Sequence, residues 1–125
     1  MWGLMTQKKL LIVDDEDDLR YLMAEYFYEQ NFNVSLAADG QEALEMYTNQ
    51  SYDLIVTDVR MPKMNGLQLL KAIKTNNPKF PVILMTGFEL SKSDIANIRY
   101  PADAYITKPF QMDYMKRIID TLLAK

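Results

Sequence analysis

The spacing of apolar residues along the chain alternates between two periods, and the alternation repeats. Short strand-like runs at residues 10–13, 33–36, 53–57, 82–85 and 104–106 predict five strands. After each comes a stretch with helical spacing. The first begins near Glu16 and places Leu19, Leu22, Met23, Tyr26 and Phe27 on one face; the last does the same with Met115, Ile118, Ile119, Leu122 and Leu123. Residues 40–47 and 66–74 predict two further helices, and 91–98 a shorter, weaker one. Strands this apolar need cover on both faces, and strands that alternate with helices pair in parallel. The expected fold is therefore α/β, a doubly wound parallel sheet of five strands wrapped by five helices.

In such a sheet, ligands bind beyond the carboxyl ends of the strands, where the winding reverses. The residues that follow the predicted strands are thus the candidates for chemistry. Asp14 and Asp15 open an acidic run after the first strand, Asp58 follows the third, Thr86-Gly87 the fourth, and Thr107-Lys108-Pro109 the fifth. Three carboxylates, a hydroxyl and a lysine should converge at one edge.

Composition narrows what they can do. The 125 residues include neither cysteine nor histidine, which excludes disulfides, thiol catalysis, imidazole acid–base chemistry and a phosphohistidine role for this chain. With 14 basic against 17 acidic residues the net charge is −3, which argues against direct binding of nucleic acid. Apolar runs such as 10–13 and 82–85 are far shorter than the roughly 18 residues of a membrane span. The start, Met1-Trp2-Gly3-Leu4-Met5, lacks the cationic character of a secretory signal, so a cytoplasmic, non-membrane location is expected; Met5 offers a second possible start. We find no internal repeat or linker, and expect one domain over residues 1–125 with its core at about 9–123 and no output domain.

Glu16, Asp17 and Asp18 are accounted for by the dipole at the start of a helix. Asp14 and Asp15 differ, because they face Asp58 at the neighbouring strand end and crowd like charges together. Two readings stay open from spacing alone: a solvated acidic edge, or a Mg²⁺ site built of carboxylate oxygens with positions left for water and phosphate. Lys108 is either a simple salt-bridge partner or, turned back by Pro109, a cation over the site. Thr86 and Gly87 either end a strand and make a turn, or leave an open cleft with a hydroxyl for an oxyanion. One reaction uses all of these parts: attack by a carboxylate on phosphorus, with Mg²⁺ and a lysine neutralising the transferred group. Asp58 is the best nucleophile candidate.

At this point the sequence resembles the receiver domains of two-component response regulators over residues 9–123. The resemblance lies in five blocks in order: LIVDDED (11–17), ADGQEAL (38–44), DLIVTDVRMPKMNG (53–66), PVILMTG (81–87) and AYITKPF (104–110). It implies a flavodoxin-like strand order 2-1-3-4-5 and a switch phosphorylated by a sensor histidine kinase or a histidine phosphotransfer protein. Asp58 would be the phosphoacceptor. Asp15 would ligate Mg²⁺ directly and Asp14 mostly through water, with Asp58 and the Arg60 backbone carbonyl completing the protein's share. Thr86 would hydrogen-bond the phosphoryl group and Lys108 would pair with it, while Met61, Pro62 and Gly66 shape the adjoining loop. Thr86 and Tyr105 would carry the switch to a face made by the fourth helix, fifth strand and fifth helix, bordered by Phe88 and Tyr100. The domain would catalyse its own phosphorylation and dephosphorylation without being a conventional turnover enzyme, and would act on a downstream partner or an output domain, as a monomer or a phosphorylation-dependent dimer.

The departures are Arg60, at a position that varies in the family, and Pro101-Ala102, where many relatives carry Gly-Ala next to a weak fourth helix. Three other functions fit less well. A Mg²⁺-dependent aspartyl phosphatase needs a second acid where Arg60 stands. A flavin mononucleotide carrier would meet a repelling acidic loop at residues 14–18. A degenerate receiver would lack some of the five site residues that are present here. Nine methionines read as core filling.

Overall fold

The computed structural model describes residues 7–87, 90–96 and 99–124. Five strands alternate with five helices: β1 (Lys9–Val13), α1 (Asp17–Glu29), β2 (Asn33–Ala37), α2 (Gly40–Asn49), β3 (Leu54–Asp58), α3 (Gly66–Asn76), β4 (Val82–Thr86), α4 (Lys92–Ala96), β5 (Ala104–Thr107) and α5 (Met112–Leu123). All strand pairs are parallel, in the order β2-β1-β3-β4-β5. Met5 and Phe88 lie outside the described residues.

Alternation along each strand splits the core into two layers. Leu10, Ile12, Leu54, Val56, Ile83, Met85 and Ile106 point to α1 and α5, where they meet Met23, Phe27, Met115 and Ile119. The opposite set, including Leu11, Val13, Ile55 and Leu84, packs on Ala43 of α2 and on Leu69, Leu70 and Ile73 of α3. Burying each large apolar side chain contributes about 1.5–3 kcal/mol, so the central strands β1, β3 and β4 supply most of the anchoring. Edge strands β2 and β5 are only half covered. The described methionines are buried or half-buried against these two layers, as expected of core filling.

Two expectations about elements need correcting. Leu22 is 59% exposed; α1 turns Met23 and Phe27 fully inward with Arg20 buried beside them, while Leu19 and Tyr26 pack half-buried against the same core. Arg20 reaches a buried hydrogen-bond acceptor, the Asp14 carbonyl, from beside this face. Asp58, Thr86 and Thr107 are the last residues of their strands rather than the first after them, since each strand runs one ladder position further than apolar character alone suggests. The weak fourth helix is short, five described residues.

Local chemistry fixes where helices begin and end. Asp39 caps α2 by accepting from Glu42 N–H at 2.8 Å, and Glu42 reaches back to accept from Ala38 N–H at 2.7 Å. At α3 the box is fully reciprocal, the Asn65 and Gln68 side chains each accepting from the other's backbone N–H at 2.9 Å. Helix α1 closes with Asn31 in the left-handed region, φ 70°. Asn31 N–H donates to Tyr28 O at 3.1 Å and Phe32 N–H to Phe27 O at 3.0 Å, and the Phe27 and Phe32 rings meet edge to face at 5.8 Å.

Candidate phosphoryl and metal site

The ladder registers assemble the site. Val13 pairs with Thr57, so Asp14 follows beside Asp58; Asp58 pairs with Met85, and Thr86 with Thr107, so Thr86 and Lys108 close the far side. The Lys108 N–H donates to Thr86 O at 2.7 Å, which locks the end of β5 to the end of β4. The Lys108–Pro109 peptide that follows is cis. Lys108 Nζ stands 3.1 Å from Asp14 Oδ2 and 3.1 Å from Asp58 Oδ2, bridging the two acids.

Both bridged carboxylates are removed from water, Asp14 completely and Asp58 to 6% exposure. Their remaining oxygens accept backbone hydrogen bonds, Asp14 Oδ1 from Glu16 N–H at 2.8 Å and Asp58 Oδ1 from Val59 N–H at 2.9 Å. Asp15 is exposed, yet one of its oxygens lies with one each from Asp14 and Asp58 inside a 4.8 Å group. Burial, and then the charge of Asp14, raise the Asp58 pKa above the usual aspartate range, against the opposing pull of Lys108 and the Val59 N–H. For Lys108 burial disfavours the charge, but Asp14 and Asp58 outweigh it and hold the ammonium above its ordinary value. An ammonium therefore sits between two crowded carboxylates that it only partly neutralises.

Glycines bring the backbone in close. A Cβ on Gly66 would lie 2.1 Å from the Asp58 carbonyl oxygen, so only glycine lets the start of α3 pack on the end of β3. Gly66 N–H donates to Val59 O at 2.8 Å in the same contact. Gly40 does this for the other end of the loop: its N–H donates to Met64 O at 3.0 Å, and a Cβ there would sit 2.2 Å from that oxygen. The ADG block thus caps α2 and also props the loop beside Asp58.

Of the residues expected at the site, the structure brings Asp14, Asp15, Asp58 and Lys108 together. Thr86 is buried at the end of β4, Arg60 projects an exposed side chain two residues past Asp58, and Tyr105 is half-buried with its hydroxyl accepting from Ala102 N–H at 3.0 Å. Gly87 lines a cleft at the site's rim with Glu16, Leu19, Lys108, Pro109 and Phe110. Sequence reasoning missed Arg20, which is buried behind Asp14. A charged residue at helical spacing from Met23 and Phe27 was the available signal.

The donor set fits Mg²⁺: three carboxylates, all oxygen, one fully buried and one open to solvent where bound water would remain. Among the described residues, no helix is long and apolar enough to cross a membrane.

Comparison with known proteins agrees with this geometry. The regulatory protein AtoC of Escherichia coli is 34% identical over 115 residues, covering 92% of this chain and 25% of the relative. The probable transcriptional regulator ycf29 of Pyropia yezoensis is 35% identical over 94% of this chain and 54% of its own length. The chain thus spans from a quarter to about half of these curated relatives. Among solved structures, the receiver domain of the Francisella response regulator 1452 superposes with a TM-score of 0.86 at 30% identity, covering 94% of this chain and 98% of that one. The response regulator TrrA of Thermotoga maritima, solved in complex with Mg²⁺ and BeF, gives 0.84 at 32% identity, with 93% and 99% covered. Residues 10–120 match the family described as the response regulator receiver domain, and with the acids, the lysine and the sheet order in place, the chain belongs to that family of two-component signalling switches.

Proposed function

We propose that this chain accepts a phosphoryl group on Asp58 in a Mg²⁺-dependent reaction, from a sensor histidine kinase or a histidine phosphotransfer protein, and thereby changes its α4-β5-α5 surface. The observation that carries this reading is the Lys108 ammonium held 3.1 Å from both Asp14 and Asp58, with Asp15 completing the acidic group. In the reaction a carboxylate oxygen of Asp58 forms a bond to phosphorus as the P–N bond of the donor breaks and its imidazole leaves. Asp14, Asp15, Asp58 and the Arg60 carbonyl would hold Mg²⁺, which supplies charge neutralisation for the phosphoryl oxygens. Lys108 pairs with the transferred group, and Thr86 donates its hydroxyl to it. Later attack by water on phosphorus releases phosphate and regenerates the carboxylate, giving self-dephosphorylation.

Tyr105 couples this event to the surface. Its hydroxyl is tied to Ala102 N–H, so a shift of Thr86 toward the phosphoryl group trades that bond for a different packing of the ring. The consumer of this change is a downstream partner or an output domain, and the setting is the cytoplasm.

Intact-mass spectrometry after incubation with acetyl phosphate tests the chemistry. One labile phosphoryl adduct is expected with Mg²⁺, none in chelator and none in Asp58→Asn. If a phosphorylated histidine donor also fails to transfer, Asp58 is not the acceptor and the reading falls.

A further inference from the structure

Six buried polar or charged side chains are described, and Arg20 is one that phosphoryl chemistry does not use. It is 8% exposed and lies directly behind the acidic edge. Its Nη1 donates a buried hydrogen bond of 2.7 Å to the backbone carbonyl of Asp14, and its Nη2 donates to Asp17 Oδ1 at 2.5 Å. The guanidinium also lies over the Tyr21 ring, 5.2 Å from its centre. Its charge is thus shared with neighbours on its own helix, and its reach toward the site is through the carbonyl.

That carbonyl belongs to the peptide joining Asp14 to Asp15. On the other side of Asp14, its N–H donates to Ala37 O at 3.2 Å, and its side chain is held by Glu16 N–H and Lys108 Nζ. Asp14 is therefore anchored on every side. Asp15 is exposed, so where its carboxylate points depends on how the peptide before it is turned. A guanidinium, with donors in a fixed fork, grips that peptide and the first turn of α1 at once.

We propose that Arg20 is a positioning residue, which holds the Asp14–Asp15 peptide in the orientation that lets both carboxylates serve one divalent cation together with Asp58. This rests on the metal site proposed above. The sign of the effect separates positioning from electrostatics. Removing a positive charge near a cation site should by Coulomb attraction alone tighten Mg²⁺ binding, whereas loss of positioning weakens it.

Calorimetric titration of MgCl₂ into the unmodified protein, Arg20→Lys and Arg20→Met, each well below its Tm, decides the matter. Loss of the grip in Arg20→Met should weaken Mg²⁺ binding about tenfold, the scale of groups that orient metal ligands from behind. The Mg²⁺ concentration for half-maximal labelling by acetyl phosphate should rise by the same factor, while the rate at saturating Mg²⁺ stays within about twofold. Arg20→Lys should recover part of the affinity, because one ammonium can still reach one acceptor. Affinity in Arg20→Met equal to or tighter than that of the parent overturns the proposal and leaves Arg20 a packing residue that affects Tm alone. If Arg20→Met does not fold, Arg20→Lys decides: weaker Mg²⁺ binding supports positioning, and unchanged binding overturns it. Absence of Mg²⁺ binding in the unmodified protein would instead defeat the metal site itself, a result visible before any variant is made.

Discussion

At Asp58 burial and the charge of Asp14 raise the carboxyl pKa, while Lys108 and the Val59 N–H lower it, and the first pair prevails. A carboxyl whose folded pKa lies above the unfolded value of about 3.9 binds its proton more tightly in the native state. Stability therefore falls as pH rises from about 4 through the folded pKa, and the penalty persists at neutral pH. Asp58→Asn removes it. In chelator at neutral pH the variant should melt a few degrees higher, the scale of about 1 kcal/mol in a domain of this size, and the gain should shrink as pH approaches 4. Mg²⁺ should raise the Tm of the unmodified protein more than that of the variant. Scanning calorimetry across pH checks both; a Tm unchanged by the substitution would contradict the close approach of the acids. At the opposite end, the raised pKa of Lys108 gives a contribution that is complete below the unfolded value of about 10.4 and lost as pH rises through the folded one. The acids and this lysine were legible because strand ends of a parallel sheet share one edge. Arg20 was not, since its principal acceptor is a main-chain carbonyl, and spacing in the sequence does not show which carbonyls turn inward.

Among the elements, α1 shows how much rests on a single terminal residue. Asn31 adopts φ 70°, and the two hydrogen bonds and the ring contact that end the helix depend on that turn. Left-handed backbone costs a residue with an ordinary Cβ about 1–2 kcal/mol, less for asparagine. Its Oδ1 also accepts from Gln7 Nε2 at 2.9 Å. Asn31→Ala should lower stability by about 1 kcal/mol in urea unfolding, with an unchanged m value and unchanged Mg²⁺ affinity. Existence and type of the elements followed from periodicity, and so did the inner face of α1 apart from Leu22. Leu22 fits the apolar stripe as well as Met23 does, yet it is exposed while Arg20 is buried.

Across the whole molecule the two edges of the sheet have different duties. Opposite the acidic site, Lys74 of α3 is buried and donates to Phe80 O at 2.7 Å, Pro78 O at 3.2 Å and Asp103 Oδ2 at 2.7 Å. Asp103 Oδ2 also accepts from Val82 N–H at 2.8 Å, so this pair binds α3 to the beginnings of β4 and β5. Lys74→Met keeps the apolar stem but strands these acceptors, and should cost about 2–4 kcal/mol. Because the damage lies at the far edge, the shift in Tm produced by Mg²⁺ should survive, which separates this loss from one at Asp58. The layers were legible in the alternation of strands and helices; strand order came from the family resemblance, because parallel neighbours leave no local signal of who pairs with whom. The glycine contacts at the near edge have a consequence for how such a switch can be retuned. The stretch from Val59 to Asn65 is pinned at one end by Gly66 against Asp58 and at the other by Gly40 against Met64. Val59, Met61 and Met64 of this stretch pack inward against the second core layer, which leaves outward-facing positions such as Arg60 and Lys63 as the ones free to vary. Variation beside Asp58 is thereby channelled to the solvent side, while the pocket's own frame is left untouched.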